Sequence, residues 1–415
     1  MIKTIMICLG VSLLTAQTAA AEEDLGIKLA PGYSATVFAD DLGYIRHMAE
    51  GPDGWIYAAL NRPKNEMGGV AFKDSNGDGK ADKVQYFASK MRGTGIAVRK
   101  GYLYFGAREQ VIRWKLSDEG LPQGDFEVIA GGLPKQRQHA AKSIAFDGDN
   151  HLYVNVGAPS NACMVEGRTK GSPGRVPCDI LDEHGGIWQF EADTVGQSHM
   201  KDGVRYATGI RNAVAIAWNS SAKDLYLTMH GRDQLNAFFP EIFDKKQSAE
   251  LPAEEFHRVK KDSNIGWPYS YYDQQKNARM VMPEYGGDGK QVTDRTDFAT
   301  PLVAFPGHWA PNAMIFIDHE ASPLKGGSLI AFHGSWNREP EPQAEGQVVY
   351  VPMNDKGEVT GPWQVIADGF GGSAFTGPSD AAYRPSGLLE SSDGTLFIGS
   401  GQGGGRVWKV RYDAR

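Results

Sequence analysis

The chain has few cysteines, no strong excess of charge of either sign, and little long apolar sequence. It contains 3 Cys among 415 residues, and 43 Lys and Arg against 50 Asp and Glu give a formal net charge of −7. This mild acidity argues against a nucleic-acid-binding protein, which would carry a basic face. Hydrophobic residues still make up 41% and aromatic residues 10% of the sequence, which excludes a disordered chain.

Several catalytic and cofactor motifs are also absent. The sequence has no G-x-S-x-G, no phosphate-binding P-loop, no H-E-x-x-H and no C-x-x-C-H haem attachment motif. Residues 399–404 do fit G-x-G-x-x-G, but a strand and not a helix is expected after them. They therefore predict a hairpin turn rather than a dinucleotide site.

The first 21 residues have the three parts of a secretory signal peptide. Lys3 gives a positive start, residues 5–14 are apolar but too short to span a bilayer comfortably, and residues 19–21 are alanines suited to cleavage. An uncleaved signal anchor is the alternative. No other segment is long and apolar enough to cross a membrane. The sequence therefore predicts a periplasmic or secreted protein without a membrane span.

Cysteine usage agrees with export. Removal of the leader leaves Cys163 and Cys178, and an even pair in an oxidising compartment predicts one disulfide that closes a short loop. Two free buried thiols are the alternative. One pair of cysteines without an accompanying histidine cluster does not predict a zinc site.

Turn-forming residues are abundant and recur in a regular pattern. The 51 Gly and 22 Pro make up roughly 18% of the chain, against a background near 12%, which favours an all-β protein. Six times, a turn with Gly, Asp or Asn precedes a strand that opens with aliphatic or aromatic residues. These six segments are residues 52–57, 100–104, 149–153, 223–226, 326–330 and 393–397.

Short apolar strands flank several of these segments, and strand–turn–strand–turn–strand is the content of one propeller blade. Six copies predict an all-β, six-bladed β-propeller over residues 22–415, with long inserted loops near 159–185 and 232–305. A pair of β-sandwiches is the alternative, which the regular recurrence disfavours. Because propeller loops at one end converge on a central channel, polar residues at strand ends become candidates for a site.

One local motif predicts a metal site by itself. Residues 74–82 read D-x-N-x-D-G-x-x-D, in which alternate oxygen side chains can wrap a hard cation and Gly79 allows a sharp turn. A solvated turn is the alternative reading. The predicted calcium ligands are Asp74, Asn76, Asp78, the carbonyl of Lys80, and Asp82.

Four clusters of polar residues lie beside predicted strands, at residues 137–139, 206–212, 229–233 and 262–268. Each alone is as compatible with a capped turn as with a functional site. Together with their order and spacing, they make the chain similar to the soluble quinoprotein sugar dehydrogenases, which include aldose sugar dehydrogenases, and most closely to the sorbosone dehydrogenase-like branch. The resemblance rests on residues 139–161, 206–218, 230–236, 264–268 and 384–412.

This resemblance implies a six-bladed propeller that holds pyrroloquinoline quinone (PQQ) with a calcium ion. It implies oxidation of an aldose or a sugar aldehyde by hydride transfer to PQQ. Because the chain lacks a haem attachment motif, the electrons would pass to a separate acceptor such as a quinone, a dye or a cytochrome.

The resemblance also implies roles for individual residues. His139 matches the catalytic base, which takes the proton of the anomeric hydroxyl. Arg211 and Asn212 match the pair that faces the quinone carbonyls. The remaining matches are Gly231 and Arg232, whose backbone carbonyls bind the cofactor's calcium, and Arg384 and, more weakly, Arg338 as partners of the cofactor carboxylates.

Two positions depart from the glucose-oxidising members. Ala158 stands where they have an acidic residue after the strand that follows the catalytic histidine, and Arg384 stands alone where some members have Arg-x-Arg. Both departures argue against glucose as the substrate. The sequence leaves open a calcium-dependent lactonase-like hydrolase and a non-catalytic sugar-binding propeller.

Overall fold

The computed structural model describes residues 25–413. The predicted signal peptide lies outside the described residues. Within them, no helix is both long and apolar enough to span a bilayer. The helices that the structure does describe are short: α1 (His199–Asp202), α2 (Leu235–Phe238), α3 (Lys245–Glu250), and 3₁₀ turns at Pro52–Gly54, Asp179–Asp182 and Pro283–Tyr285.

Strands dominate the described chain. In chain order they are β1 (Lys28–Leu29), β2 (Tyr33–Ala39), β3 (Ile45–Glu50), β4 (Ile56–Lys64), β5 (Met67–Lys73), β6 (Lys83–Ser89), β7 (Gly93–Arg99), β8 (Tyr102–Ala107), β9 (Val111–Leu116), β10 (Pro122–Gly131), β11 (Ile144–Phe146), β12 (His151–Val156), β13 (Gly186–Glu191), β14 (Gln197–Ser198), β15 (Val204–Thr208), β16 (Ala215–Asn219), β17 (Asp224–Met229), β18 (Glu254–Val259), β19 (Ser263–Asn264), β20 (Ser270–Asp273), β21 (Ala278–Val281), β22 (Val303–Phe305), β23 (Pro311–Phe316), β24 (Ser328–Phe332), β25 (Gln347–Val351), β26 (Gln364–Asp368), β27 (Pro385–Glu390), β28 (Leu396–Ser400) and β29 (Val407–Tyr412).

The strands form six blades around a ring. Their four-stranded antiparallel cores are β3-β4-β5-β6, β7-β8-β9-β10, β11-β12-β13-β15, β16-β17-β18-β22, β23-β24-β25-β26 and β27-β28-β29-β2. In the sixth blade the outer strand β2 comes from the start of the described chain and pairs with β29, which closes the ring. The predicted six-bladed β-propeller is confirmed.

The repeated sequence signal marks the second strand of every blade. Its six copies coincide with the starts of β4, β8, β12, β17, β24 and β28. Each copy places an apolar residue in the interface between two sheets, such as Tyr57, Leu103 and Leu225, all of which are fully buried. Because each central strand is covered on both faces by neighbouring blades, it reads as an apolar run rather than as an alternating pattern.

The first strands of neighbouring blades contact one another and line the channel. Strand direction alternates within each blade, so the residues before the first strand and after the second strand lie at the same end of the ring. Six loops before the first strands and six loops after the second strands therefore converge there.

Two long stretches of chain, residues 157–185 and 232–305, follow the second strands of the third and fourth blades at this end. Residues 157–185 join β12 to β13, and the predicted disulfide between Cys163 and Cys178 is present in them, with sulfurs 2.05 Å apart. The stretch 232–305 contributes β18 and β22 to the fourth blade as well as the separate hairpin β20–β21.

Candidate active site

Residues from three blades meet at the converging end of the channel. His139 precedes β11, Arg211 and Asn212 precede β16, and Arg384 precedes β27. Gly231 follows β17. The structure thus brings together five positions that lie far apart in the sequence.

His139 is held by the backbone of the next loop. Its Nδ1 lies 2.5 Å from the carbonyl oxygen of Ala158. A carbonyl can only accept, so Nδ1 carries the proton and Nε2 keeps the free lone pair. Burial in the channel wall, together with the charge of Arg211, lowers the pKa of His139 to about 3. His139 is therefore a neutral imidazole, partly reached by solvent, whose Nε2 has a free lone pair but is a weaker base than free imidazole.

Ala158 occupies the position where an acidic residue was expected to orient the base. The residue itself is fully buried, and its backbone N–H donates to the carbonyl of Arg211 at 2.8 Å. The carbonyl of Ala158 supplies the hydrogen bond that a carboxylate would otherwise make. A backbone carbonyl and not a carboxylate orients the base, although the charge of Asp233 also acts on it.

Gly157 brings His139 and Asn212 together. A Cβ at this position would lie 2.8 Å from Oδ1 of Asn212 and 2.8 Å from both Cβ and the carbonyl of His139. Only glycine permits this approach. Oδ1 of Asn212 is buried and lacks a hydrogen-bond partner in the described chain, while its Nδ2 lies 3.4 Å from Nδ1 of His230. A buried amide oxygen without a partner is expected where a ligand supplies one.

Arg211 is oriented by three bonds. Its Nε and Nη2 donate to the carbonyl and to Oδ1 of Asn161 at 3.1 and 3.0 Å, and Nη2 also contacts Oδ2 of Asp233 at 3.0 Å. Trp267 donates its indole N–H to the same carbonyl of Asn161 at 3.0 Å. The guanidinium is fixed in position, and its Nη1 makes none of these contacts.

Gly231 and Arg232 form a rigid stretch of backbone. The N–H of Gly231 donates to Oε2 of Glu254 at 3.1 Å. The side chain of Arg232 is fully buried in an ion pair with Glu284, which comes from the 3₁₀ turn Pro283–Tyr285 of the long insertion. Burial raises the pKa of Glu254 to about 8. The carbonyls predicted to bind calcium thus belong to a segment held from both sides.

Arg384 and Arg46 supply positive charge that no carboxylate in residues 25–413 neutralises by an ion pair. Arg384 donates to the carbonyls of His333 and Gly334 at 2.6 and 2.5 Å and to Nδ1 of His333 at 2.6 Å. The pKa of Arg384 falls to about 10 because of burial and the charge of Arg46. Burial and the charge of Arg62 lower the pKa of Arg46 to about 10 as well. An anionic ligand would relieve this repulsion.

Arg338 makes its hydrogen bonds outside the channel. Its guanidinium pairs with Glu250 at 2.5 Å and donates to the carbonyls of Ala249 and Gly307. These bonds join it to the end of α3, so the structure does not show it turned towards the channel.

The predicted calcium loop lies between β5 and β6, at the end of the ring opposite the site. Asp74 accepts from the N–H groups of Gly77 and Gly79 at 2.7 and 2.8 Å, and Asp82 accepts from the Ser75 hydroxyl at 2.6 Å. In the part of the chain that the structure describes, no three His, Cys, Asp or Glu side chains are grouped so that they could hold a metal ion. Calcium binding here stays a prediction.

Sequence reasoning missed three groups of this site, Arg46, His333 and Glu284, and it gave no role to Asp233 of the cluster 229–233. Arg46 is the second residue of β3, the first strand of the first blade, and His333 follows β24, the second strand of the fifth. Arg46 lies near the start of a first strand, as Arg384 does, and His333 directly follows a second strand, as His230 does. The six repeats aligned with one another could therefore have found both, whereas Asp233 and Glu284 act through contacts that no local pattern shows.

A family model described as TrAA12-like matches residues 27–412. The chain belongs to this family. The membership agrees with the predicted kinship to PQQ-dependent sugar dehydrogenases. Among curated proteins, none is significantly similar to the chain.

Solved structures share the fold of this TrAA12-like protein. The calcium structure of a Trichoderma reesei family AA12 enzyme is 16% identical with a TM-score of 0.74, and the holo PQQ domain of Coprinopsis cinerea pyranose dehydrogenase is 18% identical with a TM-score of 0.72. Each alignment covers 93% of this chain and 97% of the other. The apo aldose sugar dehydrogenase of Escherichia coli is 16% identical with a TM-score of 0.58, over 92% of this chain and 99% of the other.

Proposed function

We propose that this protein oxidises an aldose or a sugar aldehyde with PQQ and passes the electrons to a separate acceptor. The observation that carries the proposal is a neutral, oriented His139 beside Arg211 in a channel with unneutralised positive charge. The PQQ domain and the sugar dehydrogenase among the structural neighbours support the choice of cofactor and substrate class.

The residues of the channel fit an anionic cofactor. Arg46, Arg384 and His333 would hold its carboxylates, since two arginines without carboxylate partners call for anions. Arg211 and Asn212 would face its carbonyl groups, and the backbone carbonyls of the segment 231–232 would bind calcium. When bound, PQQ supplies the acceptor for the hydride that leaves the sugar carbon.

The step that belongs to this chain is proton removal. Nε2 of His139 takes the proton of the anomeric hydroxyl while the carbon loses its hydride, so that the C–O bond becomes a carbonyl. The bond from Nδ1 to the Ala158 carbonyl keeps the ring in the required tautomer. The fixed guanidinium of Arg211 stabilises negative charge that develops beside it.

The charge at the channel disfavours the lactonase-like alternative. Such a hydrolase would place acidic side chains around a channel metal, whereas Asp233 of this channel is paired with Arg211 and the channel also carries Arg46 and Arg384. Only turnover of a sugar distinguishes the proposed enzyme from a non-catalytic sugar-binding propeller.

The test is reconstitution of the purified protein with calcium and PQQ, followed by dye reduction with a panel of aldoses and sugar aldehydes. We expect His139→Asn to lower kcat by about 10²–10⁴-fold, the usual contribution of a general base. Asparagine suits the positive φ of 51° at this position, so the loop should keep its shape.

The matched control is His151→Asn, which changes a histidine at the opposite end of the ring. Cofactor affinity, measured by absorbance titration, should be nearly unchanged in both variants. Dye reduction by His139→Asn at the wild-type rate would refute the role of the base. Absence of cofactor binding by the wild-type protein would refute the quinoprotein function itself.

Two further proposals concern the rest of the chain. We propose that the loop 74–82 binds a structural calcium ion, which its D-x-N-x-D-G-x-x-D sequence supports. We also propose a periplasmic or secreted location, which the leader sequence and the disulfide support.

A further inference from the structure

A second group of cations lies beside the proposed active site, on the side formed by the second and third blades. Arg92, Arg108 and Lys142 line one small cavity together with Asn61, Thr94 and Ala140. Ala140 follows the proposed base directly in the sequence. Arg92 precedes β7, Arg108 follows β8 and Lys142 precedes β11, so the cavity lies at the same end of the ring as His139.

These three cations have no ion-pair partner within residues 25–413. Lys142 is 1% exposed, and its Nζ has one hydrogen bond, to the carbonyl of Ala140 at 3.2 Å. Burial and the charge of Arg108 lower the pKa of Lys142 to about 8. The pKa of Arg108 is lowered by burial and by the charge of Arg92, against which Glu109 acts in the opposite direction.

Like charges gathered in a protein of net charge −7 are unfavourable unless an anion joins them. The space between the three cations is about 20 Å³ and is open to solvent, since Arg92 and Arg108 are exposed whereas Lys142 is buried. It admits the tip of a charged group but not a sugar ring. The ring would therefore remain in the channel while an anionic substituent reaches the cavity.

We propose that the cavity lined by Arg92, Arg108 and Lys142 is a subsite for a carboxylate carried by the sugar, so that this enzyme prefers acidic sugars of the uronic acid type over neutral ones. The proposal rests on the proposed function and narrows its substrate class. A sugar phosphate offers a similar charge, and the small cavity favours the flatter carboxylate.

Binding without turnover tests the subsite independently of catalysis. Methyl β-D-glucuronide cannot be oxidised at its blocked anomeric oxygen, and methyl β-D-glucoside is its neutral match. We expect calorimetric titration of the reconstituted protein to give at least about tenfold tighter binding of the glucuronide, as expected for a hydrogen bond to a charged group.

The double variant Arg92→Gln/Arg108→Gln should lose this preference and keep its affinity for PQQ. Arg137→Gln is the matched control, because it removes an exposed arginine of the same end of the ring that does not line the cavity. In dye-reduction assays the double variant should raise KM for D-glucuronate by about tenfold or more and leave KM unchanged for any neutral aldose that the enzyme oxidises.

Each other outcome overturns the proposal. Equal binding of the two glycosides by the wild-type protein would do so, as would a preference that survives in the double variant. Loss of PQQ affinity in the double variant would assign the cations to the cofactor. Tighter binding of D-glucose 6-phosphate than of D-glucuronate would assign the subsite to phosphate. If the glucuronide binds but no sugar is oxidised, the proposed function fails while the subsite stands.

Discussion

At the scale of single residues, the backbone performs tasks that the sequence suggested side chains should perform. From the sequence alone, Ala158 indicates that the base has lost its orienting group, because a methyl group stands in place of the expected carboxylate. The structure shows its carbonyl 2.5 Å from Nδ1 of His139. Backbone groups carry no signature in the residue type, so the sequence could single out His139 as a candidate base but not the carbonyl that orients its ring.

The buried ion pair between Arg232 and Glu284 gives the residue-scale prediction. Both side chains are fully buried, and Nη2 of Arg232 and Oε2 of Glu284 have no further partner in the described chain. Removing one partner leaves an uncompensated charge in the interior. We expect Glu284→Gln to lower the free energy of unfolding by about 3–5 kcal/mol, measured by urea denaturation. It should also weaken calcium-dependent PQQ binding, because Arg232 belongs to the proposed calcium segment.

The double variant Arg232→Met/Glu284→Leu separates these two effects. It removes both charges, so most of the lost stability should return, while the weaker PQQ binding should persist if the pair positions the segment 231–232. If the Glu284→Gln protein is as stable as wild type, the buried charge of Arg232 does not destabilise the fold when its partner is removed. If the double variant recovers both stability and PQQ affinity, the ion pair affects PQQ binding only through the stability of the fold.

At the scale of elements, the strands could be predicted and the long loops could not. The six copies of the turn-and-strand signal became the second strand of each blade because every such strand is buried on both faces. The loop 157–185 carries no comparable pattern, since its position depends on a disulfide and on contacts such as that between Arg168 and Gln234. Loops of this kind depend on distant partners that local sequence does not encode.

The loop 74–82 gives the element-scale prediction. Hydrogen bonds close its turns, because Asp74 accepts from Gly77 and Gly79 and Asp78 accepts from the N–H of Lys80 at 2.9 Å. Saturating calcium should therefore raise Tm without creating the loop. At a hundredfold excess over Kd the stabilisation would be about 2.7 kcal/mol, readable by calorimetry with and without a chelator.

Asp78→Asn is the variant that decides the matter. Asparagine keeps an oxygen that can accept from Lys80 but removes a charged calcium ligand. We expect an unchanged Tm in chelator and a smaller shift on addition of calcium. Asp74→Ala should lower Tm even in chelator, because two backbone N–H groups lose their acceptor. Equal calcium shifts in wild type and Asp78→Asn would place the ion elsewhere.

At the scale of the whole molecule, histidines buried as neutral groups should make the fold sensitive to acid. His199 is 1% exposed, lies edge-to-face on Trp188 with ring centroids 4.7 Å apart, and has an Nε2 without a partner among the described residues. Burial lowers its pKa from 6.5 to about 4. The native state therefore binds fewer protons than the unfolded chain between these two values. The stability that this difference provides is complete above pH 6.5 and is lost as the pH falls towards 4.

One pKa unit corresponds to about 1.4 kcal/mol, so the shift of His199 accounts for at most about 3.4 kcal/mol of acid destabilisation. His199→Phe keeps an aromatic ring against Trp188 and removes the titrating group. Urea unfolding between pH 4.5 and 7.5 should show a free energy that falls less steeply towards acid in this variant than in wild type. Phe190→Leu, which alters packing in the same core, should instead lower stability by a similar amount at every pH. If His199→Phe and wild type lose stability in parallel, proton uptake by His199 does not drive acid unfolding. Other buried groups then account for it, among them the channel histidines His139 and His230, whose pKa values also fall to about 3 and 4.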